Sequence, residues 1–220
     1  MELNADFSRR AVVHAAHLPW TPSPISGVER RMLDRIGEEV ARATSIVRYA
    51  PESHFSPHVH GGGEEFLVLD GVFQDEHGDY PVGSYVRNPP HSSHAPGSKT
   101  GCVIFVKLWQ FDADDRTAVR IDTSGARLVS VPDRRGVECL PLFRDSREEV
   151  RIERWAPNAH VFLASPNGIE VLALDGEFVE GGERFTPQSW LRLPPASKLD
   201  ATAGRNGCKV WLKSGHLGLR

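Results

Sequence analysis

Apolar positions along this chain come in short runs separated by turn residues. Thr44 to Tyr49, Phe66 to Leu69, Tyr85 to Arg87 and Val103 to Trp109 are rich in β-branched and aromatic side chains, with glycine, proline or aspartate between them. Regular short strands with frequent turn signals predict an all-β chain, a sandwich or a barrel. One segment is ambiguous: in a helix, Val28, Met32, Leu33 and Ile36 would share a side. The second half of the chain resolves it.

Landmarks recur at a nearly constant spacing. Gly27-Val28-Glu29 returns as Gly136-Val137-Glu138, Tyr49-Ala50-Pro51 as Trp155-Ala156-Pro157, and Leu69-Asp70-Gly71 as Leu174-Asp175-Gly176. Pro89-Pro90 returns as Pro194-Pro195, and Gly101-Cys102 through Lys107 as Gly207-Cys208 through Lys213. The chain therefore reads as two copies of one unit of about 107 residues, too long for a solenoid repeat and right for a small domain. The counterpart of Val28 to Ile36 contains Pro141, which a helix interior tolerates poorly, so both segments are predicted as strands. The boundary is expected in the polar cluster Asp112 to Arg116, giving domains 1–113 and 114–220. Ala118-Val119 echoes Ala11-Val12, so an N-terminal arm is repeated as well.

The chemistry concentrates in copy one. His58-Val59-His60-Gly61-Gly62-Gly63-Glu64 puts two histidines at alternate strand positions, with Glu64 after a turn that three glycines make sterically easy. His94 follows the turn-rich run Arg87-Asn88-Pro89-Pro90-His91-Ser92-Ser93 and is expected on a later strand alongside the first. Imidazole and carboxylate together suit zinc, iron, manganese or nickel, whereas calcium prefers all-oxygen sites. His58, His60, Glu64 and His94 are the candidate metal ligands. No catalytic residue or organic cofactor site is assigned.

These residues carry a family resemblance. His-x-His, three residues, Glu, six residues, Gly, from His58 to Gly71, resembles the first cupin motif, and Gly83, Pro89 and Ser92-Ser93-His94 resemble the second. Over about residues 20–110 the text is similar to the cupin domain of ChrR-type anti-sigma factors. The resemblance implies two tandem jelly-roll β-barrels, a bicupin. His91 stands where the cupin pattern has glycine; histidine occasionally accepts positive φ, so a turn role is expected.

Aligned on the repeat, His58, His60, Glu64 and His94 fall opposite Leu163, Ser165, Ile169 and Leu199. Copy two is thus expected to be a cupin that has lost its metal ligands, leaving one divalent metal per chain. Cys102 and Cys208 occupy matching positions and are read as core residues, and the three cysteines form no close pair. His14 and His17 are read as structural or exposed, and His54, His77 and His160 as surface or loop residues. The net charge of -3 leaves no basic footprint for nucleic acid. There is no membrane-length apolar run and no signal-peptide pattern, so a cytoplasmic location is expected.

Two functions of different class follow. The ChrR resemblance implies a stress-sensing or regulatory module built on zinc, with a possible regulatory protein partner. About 25 residues without cysteine precede the first strand, so sigma-factor binding is not carried over. The alternative is a non-haem Fe(II) dioxygenase cleaving a small diketone or hydroxy-ketone, with Phe66 and Val68 shaping a dry pocket for a small-molecule ligand. Exposed jelly-roll edges also suggest a homodimer.

Overall fold

The computed structural model describes residues 1–38 and 40–218. Its elements are antiparallel strands apart from one 3-10 turn, Ala15–His17, and no described helix is long and apolar enough to cross a membrane. The all-β expectation holds. Val28–Gly37 and Val137–Arg144 are both strands, as the proline in the second required.

The chain divides into two compact units. Unit 1 is Met1–Ala5 with Leu18–Gly125, and unit 2 is Asp6–His17 with Ala126–Arg220. In unit 1 the main sheet runs Val28–Gly37, Ala41–Tyr49, Cys102–Leu108, Glu64–Asp75, Ser84–Asn88, Val119–Asp122. Unit 2 repeats that order with Val137–Arg144, Glu149–Trp155, Lys198–Ser214, Ile169–Glu180, Ser189–Leu193, Ala11–His14.

The last strand in each order is an arm taken from the other copy's side of the sequence. Val119 pairs with Arg87 and Asp122 with Ser84, while Ala11 pairs with Arg192 and His14 with Ser189. Each arm lies against a strand bearing a fully buried arginine. Arg87 stacks on Phe111 and pairs with Asp115 at 3.0 Å, and Arg192 stacks on Phe7 and donates to the Asp6 carbonyl. His14 bonds Ser189 and Glu183, which gives it the structural role expected of it.

Alternation sorts the side chains of each sheet onto two faces. On one face of unit 1, Tyr49, Val47, Ser45 and Ala43 pair in register with Cys102, Ile104, Val106 and Leu108. Val68, Phe66 and Glu64 continue those rows. Phe66, Val68, Phe73, Val86 and Ile104 are buried in one cluster there, with Cys102 among them. The opposite face is also buried and mixes apolar side chains, Ile46, Leu67 and Phe105, with polar ones. Tyr85 donates to Glu65 at 2.8 Å, and in unit 2 Trp190 donates to Glu170 at 2.7 Å.

The interior of unit 2 differs in kind at the rows that match Ala43, Ser45 and Val47. Glu149, Arg151 and Glu153 stand there. Glu153 is fully buried and accepts from Arg134, Arg151 and the Trp155 indole. Burial opposes its ionisation, but the two arginines outweigh burial and hold its pKa below the usual value of 4.5.

Glu153→Gln should therefore take the shared carboxylate from buried Arg151 and half-buried Arg134, leaving Arg151 only the partly exposed Glu149, and destabilise unit 2 by about 3 kcal/mol, read by urea unfolding followed through tryptophan fluorescence. Because the folded-state pKa is depressed, the gap between wild type and variant should be full above about pH 4.5 and shrink as pH falls below it. A gap independent of pH would contradict the assignment.

Candidate metal centre

The sequence places the four candidate ligands on two strand pairs. His58–Val59 runs antiparallel to Ser93–His94, with His94 opposite His58. His60 lies just past its strand and is held by backbone bonds to both Ser92 and His91, which fold the second loop onto the first. Glu64 opens the strand Glu64–Asp75, opposite Asn88.

The three imidazoles converge. One ligand nitrogen from each of His58, His60 and His94 lies within 4.8 Å of the others, and the ring centroids are 4.7 to 5.1 Å apart. Glu64 joins them, its Oε2 lying 3.5 Å from both His60 Nε2 and His94 Nε2. That spacing suits shared attraction to a cation better than hydrogen bonding, and both nitrogens are buried without a hydrogen-bond partner. Neutral imidazole lone pairs around a carboxylate are the donor set of a borderline divalent metal, so the residues fit such an ion.

Neighbouring side chains orient this set. His94 Nδ1 sits 3.2 Å from Asp75 Oδ2, which suits a tautomer with the proton on Nδ1 and the lone pair on Nε2 facing the cluster. Asn88 donates to Glu64 Oε2 at 3.1 Å. Neither was singled out in the sequence. Asn88 could have been found, because pairing the two motif strands in register sets it opposite Glu64; Asp75 lies outside both motifs and carries no such signal.

Burial pushes the pKa of His60 down to about 4, and the nearby His58 adds to the effect. Burial also lowers His94, against the attraction of Glu64. The Glu64 carboxyl is raised by burial, despite His94 and the Asn88 bond. Both imidazoles thus stay neutral and available as ligands at neutral pH.

The glycines do more than form a turn. Only Gly63 has a left-handed φ, +76°, while Gly61 and Gly62 lie under the Trp109 ring. A Cβ on Gly62 would approach that ring to 2.4 Å and the Trp109 Cα to 2.8 Å. The strand before Trp109 ends at Leu108, one residue earlier than the sequence suggested, and Trp109 has φ +59°. His91 does take positive φ, +71°, and is exposed, as a turn residue should be.

A cavity of about 510 Å³ meets the cluster at Glu64. Tyr49, Ser45, Ile104, Val106 and Trp109 line it. Phe66 and Val68, expected to shape it, do not line it; they sit in the buried cluster on the same face, with Ile104 and Val106. In unit 2 the matching ligand positions are apolar or small: Ile169 and Leu199 are fully buried in the core, Leu163 packs against it, and Ser165 is buried.

Residues 8–112 match the family described as the ChrR Cupin-like domain. Comparison with curated protein sequences finds no match. Among solved structures, the chain is similar to a candidate dioxygenase from Nostoc punctiforme, with a TM-score of 0.76 and 14% identity over 96% of this chain and 85% of that one. It is also similar to the bacterial pirin YhhW from Escherichia coli in complex with nickel(II), with a TM-score of 0.65 and 14% identity over 94% and 98% of the two chains. A Cupin 2 conserved barrel domain protein from Leptotrichia buccalis gives a TM-score of 0.60 and 11% identity over 93% and 95%. At these identities the likeness is one of fold. The chain shares the fold of these cupin proteins, and its residues 8–112 are similar to the ChrR Cupin-like domain.

Two outcomes test the geometry. Gly62→Ala should destabilise unit 1 by about 1–3 kcal/mol through overpacking against Trp109, read as a lower unfolding midpoint; an unchanged midpoint would mean that the loop yields freely. The second outcome concerns acid. Without metal, the unfolded chain protonates His60 below about pH 6.5 while the folded chain resists until about pH 4, so His60 costs stability increasingly across that window. His60→Leu should therefore gain on wild type as pH falls from about 6.5 to about 4 in chelator-treated protein, measured by thermal unfolding. A constant difference would show that His60 is not buried neutral.

Proposed function

We propose that the chain is a bicupin, two tandem jelly-roll barrels, in which the first holds one divalent metal on His58, His60, Glu64 and His94 and the second holds none. The observation that carries this reading is the pair of buried, unpartnered imidazole nitrogens of His60 and His94, both 3.5 Å from one carboxylate oxygen. Such a site is costly when empty, because two lone pairs and a buried carboxyl face one another without donors. The matched family model supports a ChrR-like stress-sensing or regulatory module, with zinc as the leading metal and iron as the alternative.

Within this reading the chain's own residues do the positioning. Asp75 holds His94 in one tautomer, Asn88 fixes the Glu64 oxygen, and Trp109 clamps the loop between His60 and Glu64. A regulatory partner would meet the protein outside this pocket, and a homodimer through strand edges fits the same reading.

A second reading, a non-haem iron dioxygenase acting on a small diketone or hydroxy-ketone, draws support from the cavity that reaches Glu64. Iron would supply open positions for a chelating substrate and dioxygen, while zinc would supply a fixed charge without redox chemistry. The apolar wall of Ile104 and Val106 would exclude water, and Glu64, on a ligand's path, could accept a proton.

Oxygen uptake separates the two. The sensing module predicts that iron-reconstituted protein consumes no oxygen above background with β-diketones, hydroxyacetophenones or catechols. Stoichiometric uptake that disappears in His94→Ala would overturn the sensing role in favour of the enzyme. Asp75→Asn should weaken metal binding by about 10–100-fold under either reading, measured by chelator competition. Unchanged affinity would remove Asp75 from the site.

A further inference from the structure

Two guanidinium groups line the cavity of unit 1. Arg30 and Arg35 lie on one strand five residues apart, an odd spacing that would normally place them on opposite faces. A register shift between Met32 and Asp34 adds one residue to this strand and turns Arg35 to the side of Val28 and Arg30. Sequence alternation alone would have missed the pair.

Among the described residues, neither arginine forms an ion pair, and Arg30 Nε is buried without a hydrogen-bond partner. Arg35 is 6% exposed and donates to the Glu38 carbonyl; the Glu38 carboxylate pairs with the Met1 ammonium and is 84% exposed. Burial and the charge of Arg30 both lower the proton affinity of Arg35, as expected for two cations sharing a partly dry space. Unit 2 handles its inward arginines differently, because Arg134 and Arg151 both bond its own Glu153. Val47 occupies the matching position in unit 1, so the carboxylate that serves the arginines of unit 2 has no counterpart there, and the cavity's own Glu38 and Glu64 form no ion pair with Arg30 or Arg35.

The rest of the lining defines what the anion belongs to. Ala43 and Ser45 are small and leave room, while Val47, Ile104 and Val106 form an apolar wall on the face that carries Arg30, Arg35 and Glu64. We propose that this cavity binds a small organic carboxylate, with its carboxylate seated on Arg30 and Arg35, its apolar body on that wall, and its far end at Glu64. A planar carboxylate matches the guanidinium fork. The placement of the far end rests on the metal reading; the anion seat rests on the arginines alone.

The test is titration calorimetry of the full chain with benzoate, phenylpyruvate and hexanoate, each beside its amide, with metal content measured on the same samples. At least one acid should bind, its amide at least about ten-fold more weakly. Arg30→Met should weaken the acid about ten-fold or more while leaving metal content unchanged, and Arg30→Lys should recover part of the loss. Equal binding of acid and amide, no binding by any acid, or an Arg30→Met variant that binds as wild type would overturn the proposal. If Arg30→Met does not fold, the acid-to-amide ratio of wild type and the partial loss in Arg30→Lys decide it alone. Acid-selective binding in protein that takes up no metal would support the seat and sink the metal reading; metal-loaded protein that ignores the acids would do the reverse.

Discussion

Two buried imidazole nitrogens that face one carboxylate oxygen without a hydrogen bond are the constraint on which unit 1 depends. Polar atoms in such a place are normally satisfied, so the surrounding strands work against local preference to keep them there. The backbone bonds from His60 and His91 tie the two loops together, Asp75 and Asn88 set the directions of His94 and Glu64, and the Trp109 ring covers glycines too close for any side chain. A cation at the centre would satisfy all these groups at once.

Unit 2 shows what the same topology does without that constraint. Its strand order is the same, and Gly176 meets the Gly207 carbonyl as closely as Gly71 meets that of Gly101, with a Cβ at either position falling about 2 Å from the oxygen. Yet Ile169 and Leu199 replace two ligands with core packing, and Glu153 with its arginines occupies rows that are small or apolar in unit 1. The shared backbone is held by turns and strand pairing. The interiors diverge one side chain at a time, which is how one scaffold can support unrelated chemistries.

Much of this was legible in the sequence. The spacing of turns gave the strands, Pro141 settled the strand against the helix, and the period of the landmarks matches two units of the same strand order. The His-x-His and later His94 converge in space because His58 and His94 face each other across a short strand pair and His60 follows just past it. What was not legible depends on register and exchange. The shift that brings Arg35 to the face of Arg30 breaks alternation, and the exchange of arms puts residues 6–17 in unit 2 although they lie at the start of the sequence. Glu65, Arg87 and Lys107 are buried, as are Glu170, Arg192 and Lys213 at the matching positions, and a charged side chain by itself carries no sign of that burial.

Elemental analysis of protein purified without added metal and under anaerobic conditions tests the central claim most directly. The account predicts about one zinc or iron per chain, absent from a His60→Ala/His94→Ala variant that still folds. Two metals per chain, or a variant that keeps its metal, would contradict it.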